Sequence, residues 1–228
     1  MDIPQQDGRT ARKRHAIVDA ARTLFLRNGY AGTSMDEIAA LAEVSKQTVY
    51  KHFADKQRLF TELITLDISQ IDVEAHPLEA AMPDTDDLER DLREYARAHL
   101  AVVMRPHLLR MRRVLIGEAD RFPDLARAWY ENGPMRSSEM FAGWFEALGR
   151  RGLLDVPDPM LAAQHFNWLV LSIPLNRAMS VPVEAARYDE KELNHYADEG
   201  VRVFLAAYGR QDSGTAASAV KGRKVNDS

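Results

Sequence analysis

The sequence predicts an all-α protein. Apolar residues recur three and four positions apart along most of the chain, which is the spacing of one face of an α-helix. Two of these segments begin with a capping box, in which a short polar residue and a glutamate three positions later bind each other's backbone N–H groups, at Ser34–Glu37 and Asp189–Glu192. Prolines and glycines stand near the ends of several segments, where they start or close helices. The pattern therefore favours a chain built from helices.

The composition is that of an ordinary globular protein. The chain has 228 residues, of which 46% are hydrophobic and 28% charged, so it can bury a substantial core in one or two domains. It has no run of eighteen apolar residues and no basic N-terminal segment followed by an apolar one, so we expect a cytoplasmic protein without a membrane partner. The absence of cysteine excludes disulfides, thiol catalysis and cysteine-ligated metal.

Charge is unevenly distributed along the chain. Residues 9–51 contain eight Lys or Arg and four acidic residues, a net +4, although the whole chain has a net charge of −4. The rest of the chain therefore carries −8. Such asymmetry is expected when one end of a protein meets phosphate and the remainder must stay away from it.

The first helix is predicted from about Thr10 to Asn28, after a flexible arm at residues 1–8. Gly29 then closes it in the left-handed conformation, and Tyr30 packs back on the helices. Two interpretations remain open for the four cations at its start: a solvated helix end, or an arm that follows the phosphate backbone or minor groove of DNA. These cations are Arg9, Arg12, Lys13 and Arg14.

Two short helices joined by a tight turn are predicted between Thr33 and Phe53. Ser34 and Glu37 form the capping box of the first, and Ser45 caps the second. Only residues 42–44 remain for the turn. The two helices must therefore cross steeply, as in a helix-turn-helix, and the second one is presented outward.

The second short helix has an apolar side and a polar side. Val49 and Phe53, four positions apart, anchor it to the core. The remaining side chains are two cations, an amide, a hydroxyl and a phenol, which suit phosphates and base edges in a major groove. A plain solvated helix face is the alternative. The polar residues are Lys46, Gln47, Thr48, Tyr50 and Lys51.

Residues 12–60, about a quarter of the chain, resemble the N-terminal domain of the TetR family of bacterial transcriptional regulators. The resemblance is carried by Ala-Arg-Thr-Leu-Phe at 21–25, Asn-Gly-Tyr at 28–30 and Val-Ser-Lys-Gln-Thr-Val-Tyr-Lys-His-Phe at 44–53. It implies an all-α homodimer in which each N-terminal three-helix unit reads half of a palindromic double-stranded DNA operator. It also implies a larger C-terminal helical domain that dimerises and binds a small-molecule effector.

Nine residues are predicted to contact DNA. The polar face of the second short helix supplies five of them, and the resemblance places His52 and Lys56 near phosphates. The full set is Ser34, Ser45, Lys46, Gln47, Thr48, Tyr50, Lys51, His52 and Lys56.

The C-terminal part of the chain is predicted to contain six further helices. The first follows Asp55, runs to about Ile71 and links the reading unit to the rest, and a break with two prolines then spans residues 76–84. The segment 117–130 resembles the AefR-like and AcrR-like branch of the family. The later helices are predicted to open at Asp86-Asp87, Pro106, Met135, Asp158-Pro159 and Asp189, and the last ends before Gly209.

Two features of this part have more than one interpretation. The last two helices either form a four-helix dimer interface with a second copy or pack within their own domain. Large apolar side chains either line an effector pocket or belong to core and interface. The pocket candidates are Met104, Met111, Trp129, Phe141, Trp144, Phe145 and Trp168.

The chain is accordingly divided into a flexible arm (1–8), a helix-turn-helix domain (9–55), an effector-binding and dimerisation domain (56–209) and a disordered tail (210–228). The histidines are scattered and no phosphate-binding loop or nucleophile motif occurs, so we expect no metal, no cofactor and no enzyme. A ligand-released repressor is favoured. An effector-independent architectural or cell-cycle DNA-binding protein, and a helical enzyme or carrier that kept the head domain, are the alternatives.

Overall fold

The computed structural model describes residues 4–210, apart from the side chains of residues 4–8 and 67–79. Residues 1–3 of the predicted arm and residues 211–228 of the predicted tail lie outside this part. The all-α class is confirmed, since the described range contains no β-strand. Its α-helices are α1 Pro4–Asn28, α2 Met35–Leu41, α3 Lys46–His52, α4 Lys56–Ala81, α5 Leu88–Val103, α6 Pro106–Glu118, α7 Pro123–Tyr130, α8 Arg136–Arg150, α9 Pro159–Ser180 and α10 Glu190–Tyr208.

Most helix starts lie where polar caps predicted them. Both capping boxes are formed, at the starts of α2 and α10. Asp87 and Asp158 accept backbone N–H groups at the starts of α5 and α9, and Pro106 begins α6, where a missing N–H breaks no helical bond. Local signals therefore position the C-terminal helices.

The start of α1 corrects one prediction. The helix begins at Pro4 and not near Thr10, so residues 4–8 of the predicted flexible arm have a helical backbone. A proline in the first turn has a helical φ angle and gives up no hydrogen bond there. Pro4 thus permits a helix start that the spacing of apolar residues does not indicate.

The predicted break at residues 76–84 is wrong in its first half. Helix α4 continues through His76 and Pro77 to Ala81, and only the 3₁₀ turn Met82–Asp84 leaves the α conformation. An internal proline removes one backbone hydrogen bond without forcing the helix to end when neighbouring helices hold it. Helix α4 is in contact with both α5 and α7.

Two apolar cores organise the protein. The N-terminal core is built on α1–α4, with Phe25, Ile38, Val49 and Phe60 fully buried. Helices α6 and α7 complete this core, because their side chains Met111, Leu115 and Leu125 are buried in it. The C-terminal core joins α5, α8, α9 and α10 through the buried rings of Tyr95, Phe141, Phe145, Phe166 and Phe204. The N-terminal reading unit is therefore packed directly on the C-terminal part.

Candidate nucleic-acid interface and internal cavity

The starts of α2 and α3 are fixed by serine side chains. Ser34 Oγ accepts the N–H of Glu37 at 3.2 Å, and Glu37 Oε2 accepts the N–H of Ser34 at 2.8 Å. The Ser34 hydroxyl also donates to Glu37 Oε2 at 2.8 Å, and this bond, together with the one from the Ser34 N–H, lowers the pKa of Glu37. Ser45 Oγ accepts the N–H of Thr48 at 3.1 Å. Both serines predicted to contact DNA are exposed and cap the helices of the motif.

The turn between α2 and α3 contains a left-handed glutamate. Glu43 has φ +54°, while its N–H donates to Ala40 O at 3.2 Å and the N–H of Val44 donates to Ala39 O at 3.1 Å. These two bonds form the closing pattern in which glycine is the usual left-handed residue. A side chain there is strained by about 1 kcal/mol. No glycine marks this position, so nothing in the sequence indicated a left-handed residue there.

Helix α3 is anchored and presented as predicted. Val49 and Phe53 are buried, and Tyr50 is 51% exposed on the opposite side. Lys46, Gln47 and Lys51 are exposed, while Thr48 and His52 are half-buried. Lys46 forms an ion pair with Asp36 of α2. The predicted reading residues of α3 therefore share one accessible face.

Lys56 holds the loop between α1 and α2. Its Nζ donates to Tyr30 O and to Thr33 O, each at 2.8 Å, and lies 4.5 Å from the centre of the Tyr30 ring. Burial lowers the pKa of Lys56. This ammonium group thus has structural partners in addition to the phosphate contact predicted for it.

Arg14, one of the four cations at the start of α1, contacts other helices of the N-terminal core. Arg14 forms an ion pair with Glu62 of α4, and its guanidinium lies 5.6 Å from the centre of the Phe53 ring. Arg9 and Arg12 are exposed. Arg14 therefore joins α1 to α4 and to the end of α3.

A cavity of about 120 Å³ lies where the N-terminal and C-terminal cores meet. Of the predicted pocket residues, Met111, Trp129 and Trp168 line it, whereas Met104, Phe141, Trp144 and Phe145 are buried in the C-terminal core. Among the described side chains, the lining consists of Ile64, His99, Val103, Leu108, Met111, Arg112, Trp129, Gly133, Pro134, Ser137, Asn167, Trp168 and Leu171.

Four polar residues of the lining were not singled out as pocket residues from the sequence: His99, Arg112, Ser137 and Asn167. His99 is fully buried, which lowers its pKa to about 4, against the opposing effect of its hydrogen bond with Asn167. His99 Nε2 lies 3.2 Å from Asn167 Oδ1; since a carboxamide oxygen only accepts, Nε2–H is the donor. Arg112 lies over the Trp129 ring. These four residues are far apart in the sequence, and no local pattern indicates that they line the same cavity.

The described residues form no cluster of three or more His, Asp or Glu that could hold a metal ion. Two of the scattered histidines have neutral partners: His99 binds Asn167, and His165 Nδ1 lies 2.6 Å from the hydroxyl of Tyr208. Within the same residues, no helix has both the length and the apolar character needed to cross a membrane.

Both halves of the chain match known sequence profiles. Residues 17–63 match the profile of bacterial regulatory proteins, tetR family, and residues 90–210 match that of the AefR-like transcriptional repressor, C-terminal domain. A solved structure from Mesorhizobium loti MAFF303099, described as a TetR-family transcriptional regulator, is 43% identical with TM-score 0.80, over 89% of this chain and 99% of that one. The Flavonoid-responsive Regulator FrrA is 30% identical with TM-score 0.69, over 89% of this chain and all of FrrA.

Curated relatives match over a shorter stretch. The HTH-type transcriptional regulator QacR of Staphylococcus aureus is 41% identical over 54 residues, which are 24% of this chain and 29% of QacR. The chain spans less than half the length of the curated relatives that it matches. The C-terminal profile alone covers more than half of the chain, and the M. loti structure aligns along nearly its full length. The chain therefore belongs to the TetR family of bacterial transcriptional regulators.

Proposed function

We propose that this regulator is a cytoplasmic repressor that binds a palindromic operator as a homodimer and leaves it when a small molecule occupies the internal cavity. The observation that carries the proposal is the position of the cavity. Its wall includes Ile64 and Met111, which belong to the core of the DNA-reading unit, and Leu171 of the C-terminal core. A ligand there touches both parts of the protein at once.

Helix α3 supports sequence-specific DNA binding. Its exposed face combines the two lysines 46 and 51 with the amide of Gln47 and the phenol of Tyr50. Cations position a protein on the phosphate backbone, while amide and aromatic groups contact base edges in the major groove. Ser34, Ser45, Thr48, His52 and Lys56 complete the proposed contact set around this face.

An apolar face on the C-terminal helices supports a homodimer. Leu161 and Ile173 of α9 and Val203 of α10 are large, apolar and exposed. Helices α9 and α10 pack closely, because a Cβ atom at Gly200 would lie only 2.9 Å from Leu169 O. The two helices thus form one unit, and a second copy that covers its apolar face would build a four-helix interface.

Release follows from the geometry of a dimer on DNA. Two α3 helices dock together only when their separation matches the spacing of the half-sites. A ligand that binds more tightly to a dimer with a different α3–α3 separation shifts the population away from the DNA-binding state. The free energy of this shift cannot exceed the difference between the ligand's binding free energies for the two states. The similar protein FrrA is named as a flavonoid-responsive regulator, and the matching C-terminal profile is that of a transcriptional repressor. Both names support the proposal.

The test is selection of bound duplexes from a random DNA pool by the purified full-length protein at moderate salt. We expect an enriched palindrome with fixed half-site spacing, loss of its selective binding in the Tyr50→Ala variant, and weaker binding in the Lys51→Ala variant. Lys191→Ala, at an exposed site on α10, is the matched control. Weak, salt-sensitive binding without a motif, or unaltered specific binding by both α3 variants, would contradict the proposal.

A further inference from the structure

Arg112 lines the apolar cavity with its guanidinium group over a tryptophan ring. Its guanidinium carbon lies 4.7 Å from the centre of the Trp129 ring, and among the described residues no carboxylate pairs with it. Partial burial lowers the pKa of Arg112, because it disfavours the charged form of the guanidinium. An anion in the cavity would offset that cost.

The neighbouring arginines of α6 form hydrogen bonds with other parts of the protein. Arg110 donates to Glu184 at 2.6 Å, and Arg113 donates to the carbonyl oxygens of Ala178 and Val181 near the end of α9. These two side chains therefore have structural partners outside the cavity. Arg112, between them in sequence, lines the cavity instead.

Apart from Arg112, the described lining is apolar except for three neutral polar side chains, His99, Ser137 and Asn167. Ile64, Val103, Leu108 and Leu171 contribute aliphatic surface, together with the rings of two tryptophans. His99 is neutral near pH 7, since its pKa is about 4, so it adds no second cation. Asn167 and Ser137 are uncharged hydrogen-bonding groups in the same wall. The cavity thus suits one negative charge on an apolar body.

The wall also contains an irregular segment. Residues Glu131–Met135 form a π-helical turn between α7 and α8, and its Gly133 and Pro134 line the cavity. Short π-helical segments often occur at functional sites. This second observation supports a ligand site rather than a packing defect.

We propose that the effector is a small monoanionic amphiphile, a carboxylate of about ten non-hydrogen atoms, whose headgroup pairs with Arg112 and whose apolar body contacts the aliphatic and tryptophan surface. The planar guanidinium offers two parallel N–H donors that match a carboxylate. This inference rests on the proposed function, because it names the ligand class of the same cavity.

The test compares each acid with its neutral amide. Octanoate and benzoate, with octanamide and benzamide as partners of nearly the same shape, are titrated into the full-length protein by calorimetry and by tryptophan fluorescence. At least one carboxylate is expected to bind roughly tenfold or more tightly than its amide, the difference that a charge-assisted hydrogen bond supplies.

Variants assign this preference to the cavity. Arg112→Gln is expected to remove the carboxylate preference, and Arg112→Lys to keep part of it. Arg110→Gln, on the same helix but paired outside the cavity, is the matched control and should retain the preference. Equal binding of acid and amide, a preference that survives in Arg112→Gln, or no binding by any of the four compounds would overturn the inference.

DNA binding by the ligand-free preparations separates the two proposals. Selective binding to a palindrome without any carboxylate preference overturns the anionic effector and leaves the repressor function standing. A carboxylate preference that requires Arg112, in a protein that selects no DNA motif, supports the anionic ligand and contradicts the repressor function.

Discussion

The carboxylate of Glu118, at the end of α6, accepts the backbone N–H of Ala31 in the loop between α1 and α2 at 3.2 Å. Beside this bond, the rings of Tyr30 and Phe122 pack edge to face with centres 4.6 Å apart. The same helix α6 carries Met111 and Arg112 in the cavity wall. Helix α6 therefore extends from the cavity to the loop that precedes the helix-turn-helix.

Removing the carboxylate of Glu118 should loosen this loop. In Glu118→Ala the Ala31 N–H loses its acceptor, and one hydrogen bond contributes about 1 kcal/mol, so we expect its hydrogen exchange to become roughly fivefold faster. The measurement is amide exchange by NMR or mass spectrometry. Asp120→Ala, an exposed change in the next loop, is the control. Unchanged exchange at Ala31 in Glu118→Ala would show that this bond does not protect the loop.

Relieving the left-handed conformation of Glu43 should stabilise the protein. Glycine adopts a positive φ without a steric cost, so Glu43→Gly is expected to raise the free energy of unfolding by about 1 kcal/mol. Urea denaturation measures the change. The comparison is Ala40→Gly, one turn earlier in α2, where glycine should lower stability by about the same amount. Equal destabilisation by both substitutions would argue against strain at Glu43.

The buried His99 should make stability depend on pH. Its folded-state pKa of about 4 lies below the ordinary value of 6.5, so the unfolded chain binds more protons between these values. The neutral, buried His99 therefore contributes on the order of 3 kcal/mol to the free energy of unfolding. This contribution is fully present above pH 6.5 and is lost as the pH falls toward 4. His99→Gln should flatten this part of the stability profile. Exposed His195→Gln controls for loss of a histidine, and an unchanged profile in His99→Gln would refute the assignment.

Lys51 should act through its charge. If it contacts a phosphate, Lys51→Ala weakens binding to specific and random duplexes alike and reduces the slope of log affinity against log salt by about 1. Fluorescence anisotropy over a salt series measures both quantities. Lys191→Ala should leave the slope unchanged. A slope unaltered by Lys51→Ala would remove this residue from the proposed contact set.

Local features of the fold could be predicted from the sequence, whereas contacts between residues distant in sequence could not. The capping box at Ser34 and Glu37, the N-cap at Ser45 and the buried anchors Val49 and Phe53 are short-range patterns, and all were predicted correctly. The cavity brings His99, Arg112 and Asn167 together from three helices. No local pattern predicts that these three side chains line one cavity. Of its lining, Met111, Trp129 and Trp168 were therefore predicted from their size and apolar character, and the polar residues were not.

The exposed apolar face of α9 should determine the oligomeric state. Ile173 is 59% exposed on α9, and Ile116 is 57% exposed on α6, so the two isoleucines form a matched pair at different sites. If a second copy covers α9, Ile173→Glu buries an unpaired charge in the interface from each copy and should shift the protein to monomers, whereas Ile116→Glu should remain dimeric. Sedimentation equilibrium over a concentration series measures this. Both variants should keep the wild-type helical circular dichroism, because each side chain is exposed in the single chain. A dimer that tolerates Ile173→Glu would place the interface away from this face, and the separation of the two α3 helices would then have to be set by other residues.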